Sequence, residues 1–255
     1  MLREPTLERL RDLRLRGMAD AFALQKETPD IGSLSFEERL GLLVDAEWTH
    51  RRNTTLARLL REARLRLPAC PEDVDFSAAR GLDRATWRAL FAGDFVRRHH
   101  NVIIVGATGV GKTYLACALG QACCRSGMRV RYVRLGGLLQ DIALGRLDGS
   151  YRTLFARLAK AELLIVDDFG LAPLTGTDAR ELLEVIDDRY ERRSTVVCSQ
   201  LPLSEWHRAI TDPTLADAIL DRLVHGAHKF TLTGESMRKK KGGRPATEAN
   251  EEATL

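Results

Sequence analysis

No stretch of this 255-residue chain is apolar for the roughly 18 residues that a membrane span requires. Its opening, MLREPTLERLRDL, is charged almost from the start and holds no hydrophobic core of a secretory signal. Cysteine is scarce and odd in number. Cys70, Cys117, Cys123, Cys124 and Cys198 follow no metal-ligand spacing, which argues against a disulfide scaffold or a structural zinc site. Reduced thiols in a cytoplasm are the expectation. Strong net charge is also missing: the balance of +4 is too mild to argue for a polyanionic partner by itself. Low complexity is confined to the tail KKKGGRPATEANEEATL, basic then acidic, which reads as unstructured. With 44% hydrophobic and 29% charged residues, what remains is a globular protein with core enough for one large domain or two modest ones.

Residues 5–67 read as helices. Leu7, Leu10, Leu13 and Met18 recur near helical spacing. After a break at ETPDIGS, Ser35 and Glu38 make the S-x-x-E of a capping box ahead of a long helix. Leu56, Leu60, Ala63 and Leu67 then line one face, with Arg51, Arg58 and Arg61 roughly opposite. That basic face is either solvated or a row of phosphate contacts. From about residue 100 the pattern changes. NVIIVG, RVRYVRL, ELLIVDDFG and STVVCSQ are strand-like, and each is followed by a helical stretch. The alternation predicts an α/β fold whose parallel sheet is covered on both faces.

Gly106-Ala107-Thr108-Gly109-Val110-Gly111-Lys112-Thr113 matches G-x-x-x-x-G-K-[ST], with a strand before it and a helix after. In such a loop successive main-chain amides turn inward around an anion at the positive end of a helix. Lys112 is placed to reach the β- and γ-phosphates of ATP, and Thr113 offers a hydroxyl to Mg²⁺. LLIVDDFG supplies acids at the end of a buried strand: Asp167 for the Mg²⁺ side, and Asp168 to orient or activate the attacking water. The string DFG does not make a protein kinase. No H-R-D catalytic loop is present, and the glycine loop is of the other type.

These motifs, together with STVVCSQLPLSEWH, DPTLADAILDRLVHGAHKFTLTGESMR and the helical N-terminal region, resemble the AAA+ ATPases. More closely they resemble the IstB-like transposition helpers and the related DnaC-type helicase loaders, over nearly the whole chain. The resemblance implies an AAA+ P-loop three-layer sandwich with a central parallel sheet over residues 71–238. A small all-helical domain over 1–70 precedes it, and a basic then acidic tail over 239–255 follows. It implies a sensor-1 polar residue at Ser199, with Gln200 as rival, and an arginine finger at Arg222 that serves a neighbouring subunit's nucleotide. It also implies a sensor-2 arginine at Arg238. A surface salt bridge is the plain alternative for both arginines. Tyr114 follows the loop where relatives often carry histidine, and relatives meet the adenine near Asp94 and Phe95. Cofactors on this reading are ATP and Mg²⁺. Partners are a second copy of the chain, duplex DNA and a transposase, with no membrane. A DnaC-type loader gripping single-stranded DNA and a helicase is the rival, and a monomeric P-loop kinase a more distant one.

Candidate DNA contacts are Arg51, Arg52 and Arg58 on the long helix, the tail lysines Lys239, Lys240 and Lys241, and Arg131. Arg129, Tyr132 and Arg134 lie beside the last. Trp48, Trp87 and Trp206 read as packing anchors rather than base-stacking residues.

Overall fold

The computed structural model describes residues 3–25, 27–77 and 80–237. Arg238, Lys239, Lys240 and Lys241 lie outside the described residues. The chain forms two compact units, Met1–Leu59 and Leu60–Leu255.

The first unit contains α1 (Arg3–Asp12), α2 (Arg16–Leu24) and most of α3 (Phe36–Ala63). α2 approaches α3 closely at Gly17, where an added Cβ would lie 2.6 Å from the Ala46 carbonyl oxygen. Glu47 of α3 accepts from the Met18 amide at 3.1 Å and from Arg51 Nε at 2.7 Å. α3 begins with the capping box read from the sequence. The Ser35 amide donates to Glu38 Oε2 at 2.7 Å, and the Glu38 amide to Ser35 Oγ at 3.2 Å. The helix stops at Ala63 because Arg64 takes a left-handed φ of 52°. Leu67 therefore falls beyond the helix and is exposed, and Leu59 is buried with Ala63 in its place.

The second unit is built on five parallel strands: β1 (Val102–Gly106), β2 (Val130–Arg134), β3 (Leu163–Phe169), β4 (Ser194–Ser199) and β5 (His228–Leu232). Their order across the sheet is β2-β3-β4-β1-β5. Parallel pairing demands crossovers. α6 (Lys112–Arg125), α7 (Leu135–Asp148) with α8 (Tyr151–Lys160), α9 (Gly176–Arg189) and α10 (Pro213–Val224) supply them. Two short helices, α4 (Arg84–Phe91) and α5 (Asp94–Arg97), precede β1.

Alternate residues of each strand face opposite layers. Ile103, Val105, Leu164, Val166 and Val197 share a core with Leu138, Ile142, Leu182, Val185, Ile219 and Leu223 of α7, α9 and α10. On the other face α6 lies so close that a Cβ on Gly120 would meet Ile165 Cδ1 at 2.9 Å. This is the three-layer AAA+ sandwich expected from the sequence. β5 was not legible as a strand. It is an edge strand in which buried and solvent-facing positions alternate through His228, Lys229 and Thr231, so it makes no apolar run.

Trp87 and Trp206 are packing anchors. Trp87 lies 4.8 Å from Phe230, and Trp206 lies 4.3 Å from Phe169, ring centre to ring centre. Trp48 departs from the expectation. It is 58% exposed, with the Arg52 guanidinium 4.5 Å above its ring, so it packs with a cation at the surface. Because Trp206 is fully buried and donates Nε1 to the Leu201 carbonyl at 3.1 Å, Trp206→Ala should destabilise the second unit by about 3–5 kcal/mol. Chemical denaturation followed by circular dichroism measures this. A loss under ~1 kcal/mol would contradict the packing role.

Candidate nucleotide site

The strand order sets the C-terminal ends of β3, β4 and β1 side by side, and each end delivers one part of the site. β1 ends at Gly106, whose added Cβ would lie 2.5 Å from the Leu232 carbonyl oxygen of β5. Its φ of 152°, with 89° at Gly109 and 104° at Gly111, lets the loop wrap tightly before α6 begins at Lys112. Lys112 folds back over the loop and donates Nζ to the carbonyls of Gly106 at 2.6 Å and Ala107 at 2.9 Å.

Behind the loop stands a residue that no motif announced. Arg80 is buried and donates to the Val110 carbonyl at 3.2 Å and to the Asp75 carbonyl. A Cβ on Gly111 would touch its guanidinium at 2.8 Å. Burial lowers the Arg80 pKa. Arg80 lies 30 residues before Val110 in the chain, so periodicity and local motif could not have found the contact.

β3 contributes the acids. Asp167 is buried, and three donors meet its two oxygens. Thr113 Oγ1 at 2.8 Å and the Tyr132 hydroxyl at 2.7 Å donate to Oδ2, and the Asp168 amide at 2.9 Å donates to Oδ1. The β3–β4 register shifts between Val166 and Phe169, and Asp168 takes a φ of 62°. This irregularity turns the Asp168 side chain out of the ladder. Arg134 Nε lies 3.2 Å from Asp168 Oδ2 and an Arg66 nitrogen 3.6 Å from it. Burial, followed by the hydrogen bond to Asp167, pushes the Tyr132 hydroxyl pKa well up. Tyr132 and Arg134, read as neighbours of a DNA contact, thus belong to the acid cluster. Arg131 is half-buried and donates to the Glu62 carbonyl at 3.2 Å.

β4 contributes Ser199 and Gln200. The Ser199 hydroxyl is fully buried and already used: it donates to the Phe169 carbonyl at 2.7 Å and accepts from the Leu201 amide at 3.1 Å. Gln200 reaches the loop instead, its Oε1 accepting from Thr108 Oγ1 at 2.8 Å.

The phosphate loop with Lys112 and Thr113, Arg80, the two acids, Ser199 and Gln200 line a cavity of about 540 Å³ that Leu67, Pro68 and Tyr114 also line. Its size suits a nucleotide. The Thr113 hydroxyl in contact with the Asp167 carboxylate is the hard-oxygen pair that Mg²⁺ favours. The residues present therefore fit both groups. Phe95 does not reach this cavity. Its carbonyl accepts from Ser194 Oγ at the start of β4, the opposite end of the strand, and neither Asp94 nor Phe95 lines the cavity.

Arg222 also lies away from the cavity. Its carbonyl accepts from Asn101 Nδ2, just before β1, at the end of the strand opposite the phosphate loop. Its guanidinium donates to Asp187 and to the Ala218 carbonyl and lies 5.9 Å from the Tyr190 ring centre.

The family model described as IstB-like ATP binding protein matches residues 8–244. The chain belongs to that family. It is an ATPase of that ATP-binding family and has the AAA+ fold. An insertion-sequence ATP-binding protein of Sinorhizobium fredii is 50% identical over 239 residues, 94% of this chain and 96% of that one. The ATP-binding protein of insertion sequence IS1162 from Pseudomonas fluorescens is 45% identical over 84% of this chain and 93% of its own length. Among solved structures, AMPPCP-bound DnaA from Aquifex aeolicus superposes with a TM-score of 0.57 at 16% identity, covering 70% of this chain and 54% of that one. The DnaC helicase loader gives 0.53 at 16% identity, covering 65% and 97%. These two share the fold. Among the described residues of this IstB-like chain, no helix is long and apolar enough to cross a membrane.

Lys112→Ala should weaken ATP binding about 100-fold or more, because two charge-assisted hydrogen bonds at roughly 1.5–3 kcal/mol each would go. Titration with a fluorescent ATP analogue checks this, and wild-type affinity would refute the loop assignment.

Proposed function

We propose that this protein is an ATP-dependent DNA-binding assembly factor that helps a transposase use target DNA. The observation that carries the reading is the position of Arg222 at the end of β1 opposite the phosphate loop. An arginine finger there serves only the nucleotide of a second copy. ATP hydrolysis then depends on assembly, and such fingers are worth roughly 10³–10⁵ in rate.

The chain's own residues have defined tasks on this reading. The loop amides and α6 receive the phosphates, and Lys112 exchanges its two carbonyl partners for phosphate oxygens. Thr113 and Asp167 hold Mg²⁺, directly or through water, and the bound ion neutralises charge on the β- and γ-oxygens. Asp168 orients the attacking water, and its pairing with Arg134 and Arg66 sets where its carboxylate points. Gln200 takes the sensor position in place of Ser199, because its amide faces the loop while the Ser199 hydroxyl is spent on main chain. Arg222 leaves Asp187 when a neighbour docks.

DNA binding is supported by α3, where Arg51, Arg52 and Arg58 are exposed. Arg51 is shared with Glu47 and Arg52 with Trp48, so phosphates would compete with contacts of modest strength. The insertion-sequence relatives support the transposase partner. Binding led by backbone phosphates, with around six neutralised per protomer, should fall about 10³-fold between 50 and 200 mM salt.

Mobility shifts on random-sequence duplex with ATP, ADP or no nucleotide test the reading. Large cooperative complexes should form with ATP only and weaken in Arg222→Ala. Binding confined to single strands would favour a helicase loader. Turnover unchanged in Arg222→Ala and indifferent to DNA would favour a monomeric P-loop enzyme. Asp168→Asn should bind ATP normally, hydrolyse it slowly, and give longer-lived DNA complexes. Wild-type turnover in that variant would move the water-orienting role elsewhere.

A further inference from the structure

Two of the three donors on Asp167 come from the motifs themselves, Thr113 from the phosphate loop and the amide of Asp168 from the same strand. The third, Tyr132, comes from the neighbouring strand. β2 pairs with β3 so that Arg134 stands opposite Asp167 and Tyr132 opposite Ile165, which brings the phenol alongside the carboxylate. A phenol hydroxyl carries a single hydrogen, and Tyr132 gives it to Asp167 Oδ2 at 2.7 Å. A carboxylate held by donors on both oxygens cannot turn about its last torsion without breaking hydrogen bonds in a buried site, where replacements are absent.

We propose that Tyr132 is a positioning residue for Asp167: its hydroxyl locks the carboxylate that faces Mg²⁺. The inference rests on the reading of Asp167 and Thr113 as the magnesium side of the site. It adds to that reading one residue outside the phosphate-loop and acid motifs.

The test uses the full chain with Tyr132→Phe, which keeps the ring and removes only the donor, and with Tyr132→Leu, which removes donor and ring together. Binding of a non-hydrolysable fluorescent ATP analogue is followed through a Mg²⁺ titration and again in excess chelator, with thermal midpoints alongside. In Tyr132→Phe the half-saturating Mg²⁺ concentration should rise about 10- to 100-fold, with binding in chelator unchanged. At saturating Mg²⁺, kcat should fall while KM for ATP stays near wild type. Tyr132→Leu should move the Mg²⁺ half-saturation in the same direction. A lowered thermal midpoint with wild-type Mg²⁺ half-saturation in Tyr132→Phe would overturn the proposal and leave a packing role. If that variant does not fold, wild-type Mg²⁺ half-saturation in Tyr132→Leu overturns it equally. Wild-type protein that binds the analogue identically with and without Mg²⁺ would instead bring down the magnesium reading of Asp167 and Thr113, and this proposal with it.

Discussion

The parallel pairing of β1 with β4 on one side and β5 on the other is the constraint on which the nucleotide site depends. It leaves room for nothing larger than glycine at Gly106, where the end of β1 crowds Leu232. It also fixes the level at which the phosphate loop leaves the sheet, beside Asp167 at the end of β3 and Gln200 past the end of β4. With that register held, a loop, an acid pair and an amide separated by some sixty to ninety residues of chain share one cavity of about 540 Å³. A slip of one residue would turn every strand side chain to the other layer and dissolve the constellation.

Arginine does much of the remaining positioning, and it does so mostly by donating to carbonyls. Arg80 braces the phosphate loop through Val110 and Asp75. At the opposite end of the sheet Arg189 is 2% exposed and donates to the carbonyls of Leu158, Ala161 and Ser194 at 2.8, 2.9 and 2.6 Å, which ties the end of α8 to the start of β4. Burial lowers its pKa to about 10. The fork of five donors suits this work better than a lysine ammonium would. Part of the basic excess in the sequence is thus spent inside the fold.

Elements with a strong local signature were legible. The capping box at Ser35 and Glu38, the phosphate loop and the apolar runs of β1, β3 and β4 each carry their physics within a few residues. The edge strand β5 was not legible, because solvent-facing positions break its apolar pattern. The end of α3 at Arg64 was missed because the leucine spacing runs on past it to Leu67. Ser199 and Gln200 differ by one position, and nothing in the sequence says which hydroxyl or amide is free. The exit of β4 turns Ser199 onto the Phe169 carbonyl and Gln200 toward the phosphate loop.

The sequence alone determined the α/β alternation that forms the sheet, and its loop and acid motifs pointed to a nucleotide. All of these rest on contiguous pattern, where spacing implies geometry directly. Tertiary structure decided which side chains from elsewhere complete the site. Tyr132 reaches Asp167 only because β2 lies beside β3 in one register, and Arg66 and Arg80, far from either motif in sequence, are brought to Asp168 and to the loop by tertiary packing. It also put Arg222 at the far end of β1. The physical reason is that these contacts join segments distant in the chain. Their geometry depends on the packing of every layer between them, and local pattern carries no record of it.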